Sequence, residues 1–142
     1  EGVRLAAEKM PVRTFLVEEM VTGAQAELLI GIMRDPGHGH VLTIAAGGVL
    51  TEILQDGVSL TVPAGRTAIE KALGQLKISK VLAGYRGRPA CDLLKILDTI
   101  MALQDYVQSG KVEEAEINPL LCGQDFAIAA DALVRSGQNH DG

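Results

Sequence analysis

The sequence predicts an α+β fold, an antiparallel sheet with helices packed on one face. Three observations carry it. The first half is a string of short apolar runs cut by turn signals at Thr22-Gly23, Arg34-Asp35-Pro36-Gly37, Gly47-Gly48 and Gln55-Asp56-Gly57. Strands joined by tight turns pair antiparallel. The second half changes period: Leu93, Ile96, Leu97, Ile100, Leu103 and Val107 recur every three or four residues, an apolar helical stripe that packs on a sheet. The chain then returns to a strand pattern in EEAEINPLLCGQDFAIAADALVR, residues 113–135, which reads as a terminal hairpin.

Residues 1–12 are mixed in character and read as a frayed segment before a single domain spanning 13–135. Arg13 to Val21 (RTFLVEEMV) is a strand with a buried middle, Phe15-Leu16-Val17, that ends in acids. Ala26 to Met33 is a second strand, closed by a turn whose Pro36 and Gly37 forbid regular structure. Val41 to Ala46 is a third. Val49 to Leu54 continues as strand or short helix around Glu52, and Val58 to Val62 is a short strand. Thr67 and Glu70 form a capping box that opens a helix reaching about Leu76. Lys80 to Arg88 is a glycine-broken loop. Asp92 caps the longer helix, which stops at Ser109-Gly110. The polar end SGQNHDG, residues 136–142, reads as a disordered tail.

A chain of 142 residues suffices for one domain with a core. With 47% apolar but only 3% aromatic residues, that core is aliphatic. No apolar run approaches the roughly 18 residues of a membrane span. The start EGVRLAAEKM lacks the basic and apolar regions of a leader and lacks an initiator Met. A piece of a longer protein, with no membrane partner, is expected. The net charge of −5, without a Lys/Arg cluster, argues against nucleic acid. It leaves nucleotides open, because Mg²⁺ bridges acids to phosphates. Cys91 and Cys122 are isolated and lack metal spacing, which suits a reducing, cytoplasmic setting.

The terminal hairpin concentrates the candidate chemistry. A turn at Gly123-Gln124 pairs Cys122 with Asp125, Asn118 with Ala129 and Glu116 with Asp131. One face then carries Ala115, Ile117, Pro119 and Leu121 opposite Phe126, Ile128 and Ala130, and suits a core. The other brings Glu116, Asn118 and Asp131 together. Three such oxygen-bearing groups suit a hard cation such as Mg²⁺; the competing reading is a solvated face with chance acids. A one-residue slip would scatter the trio.

Other motifs stay two-sided. Gly47-Gly48 lets backbone N–H groups approach a ligand or simply makes a bend. Glu52 faces a site or water. Arg34 is a phosphate contact held by Asp35, or half of a surface pair. His38 and His40 share a metal or sit on a solvent loop. Tyr85-Arg86-Gly87-Arg88 suits an anionic substrate or ordinary surface. Glu18-Glu19 marks an edge where backbone groups can meet a flat base. No nucleophile triad stands out.

Taken in order, FLVEEMV, GAQAELLIGIMRDPGHGHV, AAGGVLTEILQD, LAGYRGRPACDL and EINPLLC…AADALV resemble the C-terminal subdomain of the ATP-grasp domain of NDP-forming acyl-CoA synthetases. That domain is related to the β subunit of succinyl-CoA synthetase. The resemblance covers about residues 13–135, and five motifs in sequence are specific. It implies Mg-ATP or Mg-ADP held between two subdomains, with this sheet as one jaw. Val17, Glu18 and Met20 match the hinge strand that meets the adenine, and Glu27, Gly47 and Gly48 also fall to the nucleotide. Glu116, Asn118 and Asp131 match the Mg²⁺ ligands. Glu52, of the GGxxxE stretch, and Arg34 match catalytic positions.

The implied reaction joins acyl-CoA, NDP and phosphate to acid, CoA and NTP through a phosphohistidine on another domain. The chain departs from the family pattern at Glu19, where a Pro is usual, and at His38 and His40, which replace an aromatic residue and a Pro. The implied partners are the first ATP-grasp subdomain and the CoA-binding and ligase domains. Alone, the chain is expected to be inactive and to self-associate as a homo-oligomer. Two alternatives stay open: an ATP-grasp-like segment of a protein lysine acetyltransferase, and a non-catalytic ligand-sensing or interaction module.

Overall fold

The structure is a computed structural model and describes residues 16–48 and 56–137. Strand β1, Ala26–Asp35, lies at the centre of a six-stranded antiparallel sheet. Strand β2, Gly39–Ala46, and β3, Gly57–Thr61, follow on one side. On the other side β4, Val112–Cys122, pairs with β1. Strands β5, Ala127–Ala129, and β6, Ala132–Ser136, then share the free edge of β4.

Alternation decides which face is buried. Leu28, Ile30 and Ile32 of β1, Leu42 and Ile44 of β2, and Ala115, Ile117 and Leu120 of β4 point into one core. Each fully buried Leu or Ile stabilises by about 1.5–3 kcal/mol. Helices α1, Arg66–Gln75, α2, Ser79–Leu82, and α3, Leu93–Ser109, cover that face only. Helix α3 buries Ile96, Leu97, Ile100 and Val107, as its stripe requires, and Asp92 caps it by accepting from the Lys95 N–H at 3.1 Å.

Two polar side chains bolt the layers together. Gln104 of α3 is 1% exposed. Its Oε1 accepts from the Ala64 N–H at 2.8 Å and its Nε2 donates to the Ala64 carbonyl at 3.1 Å. Asp56, also buried, accepts from the N–H groups of Lys77 and Ile78 at 2.8 and 3.0 Å, which satisfies the start of the turn leading into α2.

Several expectations are corrected. Residues 16–25 form no strand; within the described residues that segment has no ladder to join, and Leu16, Val17 and Met20 are exposed. The stretch around Glu52 lies outside the described residues. No capping box forms: α1 starts two residues early, with Gly65 rather than Thr67 as its N-cap and no side-chain cap, because Gln104 already fixes the preceding Ala64. Part of the expected loop after Lys80 is helical as α2. Leu93 is exposed at the start of α3. Strand β6 runs through Ser136, and the Gly137 N–H donates to the Lys111 carbonyl at 2.8 Å; the rest of the expected tail lies outside the described residues.

The terminal hairpin is shifted by two residues. Its turn centres on Gln124-Asp125, closed by the Gly123 N–H to the Phe126 carbonyl at 2.9 Å. Leu120, not Asn118, faces Ala129, and Glu116 faces Leu133 rather than Asp131. Asn118 instead donates its N–H to the Asp131 carbonyl at 3.1 Å. A β-bulge sits beside it: Leu28 pairs with Leu120 but Ile30 pairs with Ile117, so Asn118 and Pro119 oppose Leu29 alone. Pro cannot donate to a ladder and is tolerated at such a place. Beyond the bulge Leu120 and Cys122, not Pro119 and Leu121, turn into the core, and Ile128 and Ala130 are exposed.

Candidate functional site

Away from the helices the sheet presents an uncovered floor of small and polar side chains. One row crosses five strands: Ser59, Thr43, Gly31, Glu116 and Leu133. Thr43 Oγ1 and Ser59 Oγ are 3.3 Å apart. Gly31 has no side chain, and a Cβ there would lie 3.9 Å from Glu116 Oε2. The next row ends in Glu114 and Arg135, joined Oε2 to Nη1 at 3.2 Å. A shallow cavity of about 170 Å³ opens between these rows, with Leu29, Gly31, Met33, Thr43, Glu114 and Glu116 in its wall.

Glu116 and Asn118 share this face and are half-buried. Asn118 Nδ2 donates to Glu116 Oε1 at 3.4 Å. Asp131 stands across from Asn118 through the backbone bond already described. Its Oδ1 accepts from the Ala132 N–H at 2.8 Å, so one carboxylate oxygen is engaged at the start of β6. Among the described residues no group of three or more His, Cys, Asp or Glu is placed to hold a metal. Of the expected trio, the structure joins Glu116 and Asn118 side chain to side chain and brings Asp131 to Asn118 through the backbone alone; carboxylate and amide oxygens are the donors a hard cation takes.

At the far end of the floor, Gly47 passes so close to β1 that a Cβ would lie 2.7 Å from the Leu28 carbonyl carbon. Gly47 donates its N–H to the Glu27 carbonyl at 2.8 Å. Gly48 has φ +65°, and the Glu27 carboxylate occupies the space a Cβ of Gly48 would need. Glu27, Gly47 and Gly48 therefore form one unit. The structure does not join the other candidates to it. Val17, Glu18 and Met20 lie exposed in the non-strand segment. Arg34 is not held by Asp35; its Nη1 is 3.6 Å from Glu113 Oε1, both side chains largely exposed, a pair worth little.

Asp35 instead closes the β1–β2 turn. Its Oδ1 accepts from the N–H groups of Gly37 and His38 and meets His38 Nδ1 at 2.8 Å. The His38 contact, and then the two backbone donors, hold its carboxyl below the usual value. His40 Nε2 bonds the Val112 carbonyl at 2.9 Å, so the two histidines serve different partners and form no shared metal site. Arg86, at φ 51°, lies 5.3 Å over the Tyr85 ring in the loop between α2 and α3. The cysteines are not isolated: Cys91 Sγ donates to the Cys122 carbonyl at 3.5 Å. Burial pushes both thiols up, Cys122 to about 12.

Gly31, Gln104 and Asp56 escaped the sequence reading. Only Gly31 left a usable signal, since an isolated Gly inside a strand pattern marks a close approach.

A family model for the ATP-grasp domain matches residues 1–135. The acetate–CoA ligase (ADP-forming) of Methanocaldococcus jannaschii is 34% identical over 121 residues, 82% of this chain and 17% of that protein. The β subunit of acetate–CoA ligase (ADP-forming) II of Pyrococcus furiosus is 29% identical over 112 residues, 76% of this chain and 48% of the subunit. Among solved structures, the apo dinucleotide-forming acetyl-coenzyme A synthetase 1 of Ca. Korarchaeum cryptofilum superposes with a TM-score of 0.82 at 25% identity, over 95% of this chain and 66% of that one. The same enzyme in complex with coenzyme A and Mg-AMPPCP gives 0.76 at 26% identity, over 83% and 55%. The chain thus spans from about a sixth to about half of these curated relatives. No helix among the described residues is long and apolar enough to cross a membrane. By its sequence match and its six-stranded sheet with helices on one face, the chain belongs to the ATP-grasp domain family.

Proposed function

We propose that this chain is the nucleotide- and Mg²⁺-binding jaw of an NDP-forming acid–CoA ligase. One observation carries the reading: Glu116 and Asn118 lie side by side on the helix-free face, above the notch left by Gly31. Glu116, Asn118 and Asp131 would hold the cation through oxygen atoms. When bound, it neutralises charge on the phosphate oxygens. The chain's own residues bind and orient. Gly31, Thr43 and Ser59 give a floor without bulk. Gly47 and Gly48 let the backbone approach a phosphate, and Glu27 braces Gly48.

The exposed Leu16, Val17 and Met20 suit a hinge segment covered by the other half of the clamp. That half, the CoA-binding and ligase domains, and a phosphohistidine carried on one of them complete the cycle in this reading. Glu52 and Arg34 are assigned to the reaction cleft by family pattern alone. The isolated chain is inactive and self-associates in this reading, and the parent works in the cytoplasm. Similarity to the nucleotide-bound relative supports the assignment, as do relatives that are acid–CoA ligases.

The test is calorimetric titration of the longer protein carrying this chain with Mg-ADP. Asn118→Ala and Asp131→Ala should each weaken binding about tenfold or more, the effect of losing one charge-assisted contact. Wild-type affinity in both variants would remove the assignment.

A further inference from the structure

Each strand alternates its side chains between the core and the open face. Among the described strand residues, Glu27, Asp35, Glu114 and Glu116 fall to the open face, and Arg135 is the one Lys or Arg that joins them. We propose that Arg135, tethered to Glu114, is the guanidinium that takes the phosphate end of the nucleotide. This role presupposes the nucleotide reading above and fills a place it leaves open, a protein cation for the phosphates.

The first ground is placement. Leu133 faces Glu116 across β4 and β6, and Arg135 faces Glu114, one pleat further along. Two residues of a strand span about 7 Å, so the Glu114–Arg135 pair starts one such step from the expected cation site. Glu114 and Glu116 also share the wall of the cavity of about 170 Å³ with Gly31 and Thr43.

The second ground is the free part of the fork. Glu114 Oε2 takes Arg135 Nη1 at 3.2 Å, and among the described residues neither side chain has a second ion pair. Glu114 is the more enclosed partner, its side chain 21% exposed against 69% for Arg135. A guanidinium carries five N–H donors in a plane. One contact at one nitrogen ties the side chain to the floor and leaves the other donors for an oxyanion, which Arg grips bidentately.

The third ground is charge. A nucleoside diphosphate carries more negative charge than one Mg²⁺ cancels. The remainder would meet the carboxylates already on this face, and like charges at close range repel. A guanidinium among them offsets that repulsion. A mere cross-strand tie at an exposed edge would instead be worth little, and its loss would not touch ligand affinity.

The test is calorimetric titration of the longer protein carrying this chain with Mg-ADP, at low and at high salt. Arg135→Gln should weaken binding about tenfold, the factor one charge-assisted contact supplies, and should flatten its salt dependence. Arg135→Lys keeps the charge but not the fork and should weaken it by a smaller factor. The urea midpoint of Arg135→Gln should match wild type, because an exposed pair contributes little; if that variant does not fold, Arg135→Lys carries the test. Wild-type affinity or an unchanged salt dependence in the folded Arg135 variant, while Asn118→Ala binds more weakly, would overturn the role of Arg135 alone. No binding of Mg-ADP by wild type, or wild-type affinity in both Asn118→Ala and Asp131→Ala, would remove the nucleotide reading and this role with it.

Discussion

Gly31 and Glu116 face each other across β1 and β4, and the side chain missing from one leaves room for the carboxylate of the other. A Cβ at Gly31 would meet nothing closer than Leu29 Cδ2 at 3.7 Å, an ordinary contact. Gly31→Ala should therefore fold and gain about 0.5–1 kcal/mol, since Gly inside a strand loses more backbone freedom on folding. Gly31→Leu should also fold but crowd Glu116 aside, weakening Mg-ADP binding by the longer protein about tenfold. Urea unfolding and calorimetry separate the two effects. Undiminished nucleotide affinity in Gly31→Leu would mean that the notch is not part of the site.

The two neighbouring glycines predict unequal costs. At Gly47 an added Cβ would lie 2.7 and 2.9 Å from the carbonyl carbon and oxygen of Leu28. That is the backbone of the central strand, which cannot yield, so Gly47→Ala should cost about 1–3 kcal/mol, as overpacking does. Gly48→Ala incurs about 1–2 kcal/mol from its positive φ, but the clashing atoms are the far end of Glu27, which can swing away. The variant at Gly47 should be the less stable in urea. The variant at Gly48 should instead displace the Glu27 carboxylate.

How far the sequence could be read turns on a few residues. Helix α3 was legible because Ile96, Leu97, Ile100 and Val107 repeat at helical spacing and Asp92 is a strong cap. The shared face of Glu116 and Asn118 was legible despite a wrong register. The hairpin is displaced by two residues, and side chains alternate with a period of two, so the slip moved partners without changing faces. The bulge at Asn118-Pro119 was not legible, because it depends on the pairing of β4 with β1, far back in the chain. Asp56 and Gln104 were hidden for the same reason: their partners lie 21 or more residues away. The capping box failed because a long-range amide contact had already decided where α1 starts.

That contact gives the next expectation. Gln104 serves both the N–H and the carbonyl of Ala64 from inside the core. Replacing it with Leu of similar size leaves two buried backbone groups unpaired, each costing about 1–3 kcal/mol. Gln104→Leu should therefore lower the unfolding free energy by about 2–5 kcal/mol although the new side chain is apolar. Gln104→Glu should do less harm to the N–H half of the contact than to the carbonyl half, since a carboxylate accepts but does not donate. An unfolding midpoint for Gln104→Leu equal to wild type would show that water replaces the amide.

Acid sensitivity follows from two caps. Asp35 is held below the ordinary carboxyl value of 3.8 by His38 first and then by the turn N–H groups. Asp92 is held below the same value by the Lys95 backbone N–H first. A carboxyl whose folded pKa is depressed stabilises fully above its unfolded value and loses that contribution as pH falls through the folded one. Stability should thus be level down to about pH 4 for these groups and fall below it. Asp92→Asn keeps an acceptor for the Lys95 N–H, and Asn caps as well as Asp. At neutral pH it should therefore match wild type closely, while its urea midpoint declines less steeply in acid. Asp35→Asn should show the same shallower acid limb with a larger loss at neutral pH, because it also gives up the charge facing His38. Parallel acid limbs for wild type and both variants would place the acid sensitivity elsewhere in the chain.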